Sequence, residues 1–321
     1  MIHIKGKRFL VTGGAGFIGS HLVDRLLSLG AEKVVVVDNF FLGNDKNLMT
    51  SHNAYGDALM VYREDASDIN AMRAIVCKEQ PDVVFNLASK ALLYSFFNPA
   101  GACKVNFDIA LVLGELLRES AYGKLIHLSS SEVYGSAQYV PMDEYHPLLA
   151  ETSYAAGKAS ADLLLSSYYR MFDLDVTIIR PFNNYGPRQN DGAHAAIIPV
   201  TLKRIRQGMA PLVQGDGMQT RDFIYVEDTV LGITKLAGLS VKGMVLNLGS
   251  GRETTILEII SQLCNLTNYK GEIMFLPQRT ADVKRHLADI NKVKEFIGDP
   301  SITALENGLR ATVAWYDEQL P

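Results

Sequence analysis

Tyr154 and Lys158 stand four residues apart in Tyr154-Ala155-Ala156-Gly157-Lys158, a spacing that puts both side chains on one face of a helix. An ammonium beside a phenol favours the phenolate. The pair is therefore expected to lower the tyrosine pKa from its ordinary value of about 10 and let it act as a base near neutral pH. Ser129-Ser130-Ser131-Glu132-Val133-Tyr134-Gly135 holds a second group of reactive types. Ser130 is expected to hydrogen-bond the same substrate hydroxyl, and Glu132 offers a carboxylate for further acid/base work. Alone, such a Tyr/Lys pair is commonly a solvated helix face, and a strand-end acid commonly points to water.

A hydride or proton transfer needs something bound nearby, and Phe9-Leu10-Val11-Thr12-Gly13-Gly14-Ala15-Gly16-Phe17-Ile18-Gly19 supplies a place for it. An apolar strand passes through a glycine turn into a helix, the pattern of a dinucleotide pyrophosphate site. Gly13 allows the tight turn, Gly16 lets the backbone approach phosphates, and Gly19 lets helix and strand pack closely. The free amides at the helix start, around Phe17 and Ile18, then face negative charge. The strand Lys33-Val34-Val35-Val36-Val37 ends in Asp38, nineteen residues after Gly19. A carboxylate there accepts hydrogen bonds from both adenosine ribose hydroxyls and repels a 2′-phosphate, which favours NAD over NADP. Asn39 belongs to the same loop. Asp65, in Asp65-Ala66-Ser67-Asp68, could meet the adenine amino group or serve as an acid near a helix start. The small residues of Asn86-Leu87-Ala88-Ser89-Lys90 leave room for a cofactor across the strand ends.

These groups must be held by a sheet. Apolar runs of strand length fall near 8–12, 33–37, 58–62, 82–87, 124–129 and 175–180, with helical periodicity at 20–29, 68–79, 103–118 and 154–169. The alternation predicts an α/β fold, a Rossmann-type doubly wound parallel sheet, with ligands beyond the carboxyl ends of the strands. After Arg180 the chain breaks into shorter pieces at Pro181, Gly186-Pro187, Asp191-Gly192 and Gly215-Asp216-Gly217. Residues 1–180 plus 225–250 are expected to form the cofactor domain, and 181–224 plus 251–321 a smaller C-terminal substrate-binding lobe. With 321 residues, 48% hydrophobic, 21% charged and a net charge of −4, the composition suits a soluble globular chain with no basic footprint for nucleic acid. No run approaches a membrane span and no signal peptide precedes the first strand, so a cytoplasmic setting is expected. Cys77, Cys103 and Cys264 are odd in number and far apart, which predicts buried free thiols. The seven histidines show no paired ligand spacing, so no metal is expected.

The chain resembles the extended short-chain dehydrogenases/reductases, in the nucleotide-sugar epimerase/dehydratase/decarboxylase group, over nearly its whole length. The matching pieces are the glycine stretch 13–19, the segment 129–135, Tyr154 to Lys158, Arg180-Pro181-Phe182-Asn183-Asn184-Tyr185-Gly186-Pro187-Arg188, and Gln219-Thr220-Arg221-Asp222-Phe223-Ile224-Tyr225-Val226. The resemblance implies that Tyr154 takes the proton of a sugar 4-hydroxyl while hydride leaves C4 for NAD. Lys158 then holds the cofactor ribose and Ser130 aligns the hydroxyl. A nucleoside diphosphate sugar is implied in the second lobe, with Asn183 and Arg221 on the diphosphate, Arg188 closing its motif among the substrate residues, and Arg279 and Asp282 in a phosphate and ribose region.

Glu132 is similar to the glutamate that removes the C5 proton in dehydratases of the group, whereas plain 4-epimerases usually carry a small hydroxyl residue there. Ser131 stands where dTDP-glucose dehydratases commonly place an acid; Ser-Glu also resembles GDP-mannose dehydratases and UDP-glucuronate decarboxylases. The apolar loop 90–99 is expected over the sugar, where it could shield a ketone from water, or in ordinary lobe packing. A 4,6-dehydratase is the leading expectation. Epimerisation, decarboxylation and simple C4 oxidation are the alternatives, and a non-catalytic NAD sensor or scaffold is the rival from another class. The resemblance also implies a homodimer through the helices near 103–118 and 154–169.

Overall fold

The structure, a computed structural model, describes residues 4–278, 283–299 and 302–319. Runs such as Phe9-Leu10-Val11 and Val34-Val35-Val36-Val37 are apolar throughout rather than alternating, which suits parallel strands covered on both faces. They lie in β1 (Arg8–Thr12) and β2 (Lys33–Val37), followed by β3 (Leu59–Tyr62), β4 (Val83–Asn86), β5 (Lys124–Leu128) and β6 (Val176–Pro181). The later strands are short: β7 (Asn183–Tyr185), β8 (Leu212–Gln214), β9 (Thr220–Arg221), β10 (Phe223–Tyr225), β11 (Val245–Leu248), β12 (Thr254–Thr255) and β13 (Met274–Leu276). The helices are α1 (Phe17–Ser28), α2 (Lys46–Tyr55), α3 (Ile69–Glu79), α4 (Pro99–Arg118), α5 (Ser153–Phe172), α6 (Ile197–Arg206), α7 (Val226–Ala237), α8 (Ile256–Leu266), α9 (Asn291–Ile297) and α10 (Leu305–Gln319).

Seven strands form one sheet in the order β3-β2-β1-β4-β5-β6-β11, and every pairing in it is parallel. The doubly wound Rossmann-type architecture expected from the alternation is present, with β11 as a further strand beside β6. One apolar layer, with Val11, Leu22, Val36 and Ile233, packs under one face of the sheet; the other, with Leu10, Met72, Leu113 and Leu165, covers the opposite face. Each such side chain contributes roughly 1.5–3 kcal/mol by leaving water. A third core holds Tyr185, Leu202, Ile260 and Tyr316, where α6, α8 and α10 meet the paired strands β7 and β10. Among the described residues no helix is long and apolar enough to cross a membrane. The three thiols are free, but Cys77 is exposed and the other two half-buried, which corrects the expectation of buried ones: Cys77 falls on the outer face of α3.

Candidate active site

The strand order reverses between β1 and β4, and ligand crevices form at such a switch point. A cavity of about 280 Å³ opens there, lined by Gly13, Gly16, Phe17, Ile18, Gly19, Asp38, Asn39, Asp65, Ala66, Leu87, Ala88 and Lys90 among others. Gly13 has φ +69, and a Cβ on it would lie 2.8 Å from the Ala88 backbone. A Cβ on Gly19 would come within 2.1 Å of the Gly13 carbonyl oxygen. Gly16 is the N-cap of α1 and offers no side-chain cap, so the first amides of the helix are left for an anion in the cavity.

Asp38 is buried at the end of β2. Its Oδ2 accepts from Ala15 N–H at 3.0 Å and its Oδ1 from Phe40 N–H at 2.8 Å, which ties the glycine turn to the second strand. Burial pushes its carboxyl up, against the pull of those amides and of Arg63. Asn39 Nδ2 donates to Asp65 Oδ2 at 2.9 Å, and Ser67 N–H and Oγ donate to Asp65 Oδ1. Burial opposes ionisation of Asp65, but those bonds and the Lys90 charge outweigh it and hold the carboxyl below its usual range. The cap of α3 is Asp68, not Asp65.

A second cavity of about 420 Å³ lies against the first, and the two share Phe17, Leu42, Ala91 and Asn190. Glu132, Asn183 and Arg221 line it, as do Leu92 and Leu93 of the apolar loop. Arg221 is buried, with Nη1 donating to Val283 O at 2.6 Å and Thr220 O at 2.9 Å. Asn183 Nδ2 has no hydrogen-bond partner among the described residues.

Ser130, Tyr154 and Lys158 line neither cavity and reach them through neighbours, Lys158 through Leu128 of the first and the Ser130–Tyr154 pair through Glu132 of the second. Lys158 is buried and its Nζ donates 2.8 Å to the carbonyl of Leu128, a wall residue of the first cavity. Ser130 Oγ accepts from Glu132 N–H at 3.2 Å and hydrogen-bonds the Tyr154 phenol. The expected lowering of the Tyr154 pKa is not found: burial drives it up to about 12, the Ser130 bond opposes, and the Glu132 and Asp162 charges add to the rise. The physical reason is that the Lys158 ammonium points at a backbone carbonyl rather than at the phenol. Burial also lowers Lys158 itself to about 8, against the pull of Asp162.

Ser131 and Arg188 are turned to other partners. Ser131 is buried behind the strand end, its Oγ 3.5 Å from His286 Nδ1, and is absent from the lining of either cavity. Arg188, with φ +63, lines the first cavity and pairs with Asp24 of α1 at 2.7 Å. Arg279 and Asp282 lie outside the described residues. Sequence reasoning missed His194, Gln214 and the start of α6, all on the wall of the second cavity. Helix α6 has no side-chain cap, and its signal was Ala195-Ala196-Ile197-Ile198-Pro199, an apolar run with proline in the first turn.

Residues 10–312 match the family described as GDP-mannose 4,6 dehydratase. The chain belongs to this family, the NAD-dependent nucleotide-sugar epimerases, dehydratases and decarboxylases of the extended short-chain dehydrogenase/reductase group. It is 34% identical to UDP-glucuronic acid decarboxylase 1 of Danio rerio, over 98% of this chain and 73% of that one. The solved UDP-glucose 4-epimerase of Thermotoga maritima with UDP-glucose superposes with a TM-score of 0.91 at 33% identity, covering 98% of this chain and 100% of that one. The dTDP-glucose 4,6-dehydratase of Bacillus anthracis in complex with NAD gives 0.88 at 27% identity, with 98% of each chain covered.

Proposed function

We propose that the protein is a nucleotide-sugar 4,6-dehydratase that oxidises C4 transiently. Segments 1–180 and 225–250 hold NAD, and 181–224 with 251–321 hold the nucleoside diphosphate sugar. The cofactor fits the groups present: an uncapped helix start for the pyrophosphate, a buried Asp38 for the ribose, and a glycine turn that a Cβ would obstruct. Bound NAD supplies a hydride acceptor at C4. Tyr154, with Ser130 bridging, would take the 4-hydroxyl proton; burial holds its phenol near 12, so ionising it would need positive charge that the bound cofactor would supply. Arg221 and the amides of α6 face the diphosphate.

The observation that carries the dehydration step is Glu132, a carboxylate on the wall of the sugar cavity beside the Ser130 and Tyr154 pair. Once C4 is a ketone the C5 proton is acidic. Glu132 removes it, then returns it to the C6 hydroxyl, which leaves as water. The hydride that bound NAD would accept from C4 would be the one delivered to C6, and the proton Tyr154 took from the 4-hydroxyl would balance the one gained at C5, so no outside oxidant is needed. Two copies associate through α4 and α5, with Leu163 and Met171 on the outward face of α5, 62% and 68% exposed.

Incubation with UDP-, GDP-, dTDP- and CDP-sugars, read by mass spectrometry, tests this. Loss of water is the expected result; an isomer of unchanged mass or loss of carbon dioxide overturns dehydration. Tyr154→Phe should cut turnover by about 10²–10⁴ while NAD stays bound, and Glu132→Gln should keep C4 oxidation but slow water loss at least about 100-fold. A Tyr154→Phe protein with full turnover would remove the phenol from the chemistry.

A further inference from the structure

Behind the catalytic pair runs a line of buried polar groups that the reaction above does not use. Ala88 N–H donates to Thr12 Oγ1 at 3.2 Å, and Thr12 Oγ1 donates to Asn86 Oδ1 at 2.9 Å. The Asn86 amide is thereby oriented with Nδ2 toward His127 Nδ1, 2.9 Å away. His127 must accept there, which leaves its proton on Nε2. That nitrogen faces Asp162 Oδ1 at 3.7 Å, an electrostatic contact rather than a hydrogen bond. From the other side Arg180 Nε donates to Asp162 Oδ2 at 2.9 Å. Arg180 Nη1 also donates to Tyr134 Oη at 3.0 Å, and Tyr134 donates to Asn247 Oδ1 at 2.7 Å. Asp162 and His127 are 1% and 0% exposed. Five elements of the sheet and its helix thus fix one carboxylate that touches neither cavity.

We propose that Asp162 is the positioning residue of the site. Its carboxylate, held between Arg180 and the His127 ring, stands one helical turn beyond Lys158 on α5 and keeps that amine an ammonium aimed past Leu128 at the cofactor cavity. This rests on the role given to Lys158 above. The spacing of four residues puts both side chains on one face, and a buried charge without a counter-charge sheds its proton instead of remaining ionised. The groups facing the carboxylate are Lys158 and Tyr154 from α5, His127 from β5, Arg180 from β6 and the Ser129 hydroxyl after β5. Tyr134 reaches it through Arg180, and Glu144 lies beyond Tyr134, its side chain accepting from Asn247 N–H at 2.7 Å. Burial keeps His127 neutral, with the Lys158 charge adding to the effect, so Asp162, one turn along α5 from Lys158, is the anion of this set. In agreement, burial pulls Lys158 down to about 8 and Asp162 opposes the fall.

Proton titration of Lys158 can be followed by NMR in the ligand-free full chain carrying 13C at the lysine Cε, its signal assigned by loss in Lys158→Arg. The wild-type midpoint is expected near 8, and Asp162→Asn should lower it by about one unit or more, with Asp162→Glu restoring most of the shift. A merely structural role would lower thermal stability and leave the midpoint in place, and that result overturns the proposal. Should Asp162→Asn fail to fold because Arg180 is left unpaired, Asp162→Asn with Arg180→Met is compared with Arg180→Met alone, so that the loss of the guanidinium cancels; the midpoint must be lower in the double variant, and an unchanged one is equally fatal. The readout needs neither cofactor nor sugar. A wild type that turns over no nucleotide sugar but shows the shift would sink the dehydratase reading and leave Asp162 in place.

Discussion

His286 reaches across from the far side of the chain to brace the turn that carries Glu132. Its Nε2–H donates to Gly135 O at 2.8 Å, and its Nδ1 lone pair faces the Ser131 hydroxyl. Burial, helped by the Arg221 charge, lowers it to about 4 from the ordinary 6.5. The folded state therefore refuses a proton that the unfolded chain accepts. Stability contributed by this residue is complete above pH 6.5, is lost as pH falls toward 4, and changes no further below that. The loss amounts to about 3–4 kcal/mol, the fall from 6.5 to about 4 taken at about 1.36 kcal/mol per pH unit. Urea unfolding at pH 7 and pH 5 should show a smaller difference for His286→Gln than for the wild type; equal differences would mean that the ring is not held neutral. At this scale the sequence named Ser130, Glu132, Tyr154 and Lys158 by spacing and type. It misjudged the Tyr154 proton affinity, because a four-residue spacing reports which face two side chains share and says nothing of which carbonyl the lysine will prefer.

Helix α1 starts at Phe17 because three glycines let the chain turn over the end of β1. Gly19→Ala places a methyl 2.1 Å from the Gly13 carbonyl oxygen, which is backbone and cannot step aside. The variant should lose about 2 kcal/mol or more of stability and bind NAD at least about tenfold more weakly, by denaturation and calorimetry respectively. Wild-type values for both would show that the turn relaxes. The six strands from β1 to β6 were legible since a strand buried on both faces is a continuous apolar run. The individual strands after β6 were not, because β9 and β12 are two residues each. Their pairing, Thr254 opposite Arg221 and Thr255 opposite Thr220, is set by segments over thirty residues apart. Neither the left-handed backbone of Arg188 nor its pairing with Asp24 could be read from its type.

For the whole molecule the association proposed through α4 and α5 can be broken without touching the site. Leu163 and Met171 lie eight residues apart on α5, two turns along one exposed face. Leu163→Glu with Met171→Glu should convert a dimer to a monomer in light scattering while far-UV circular dichroism stays unchanged. A wild type that already runs as a monomer refutes the association. The two cavities have a consequence of their own. Phe17, Leu42, Ala91 and Asn190 belong to both, so an occupant of one forms part of the wall seen by the other. Those shared walls are the route by which filling one space would alter the grip of the other, and thermodynamic linkage makes the two effects equal: whatever factor an occupant of the second cavity imposes on affinity in the first, an occupant of the first imposes on the second.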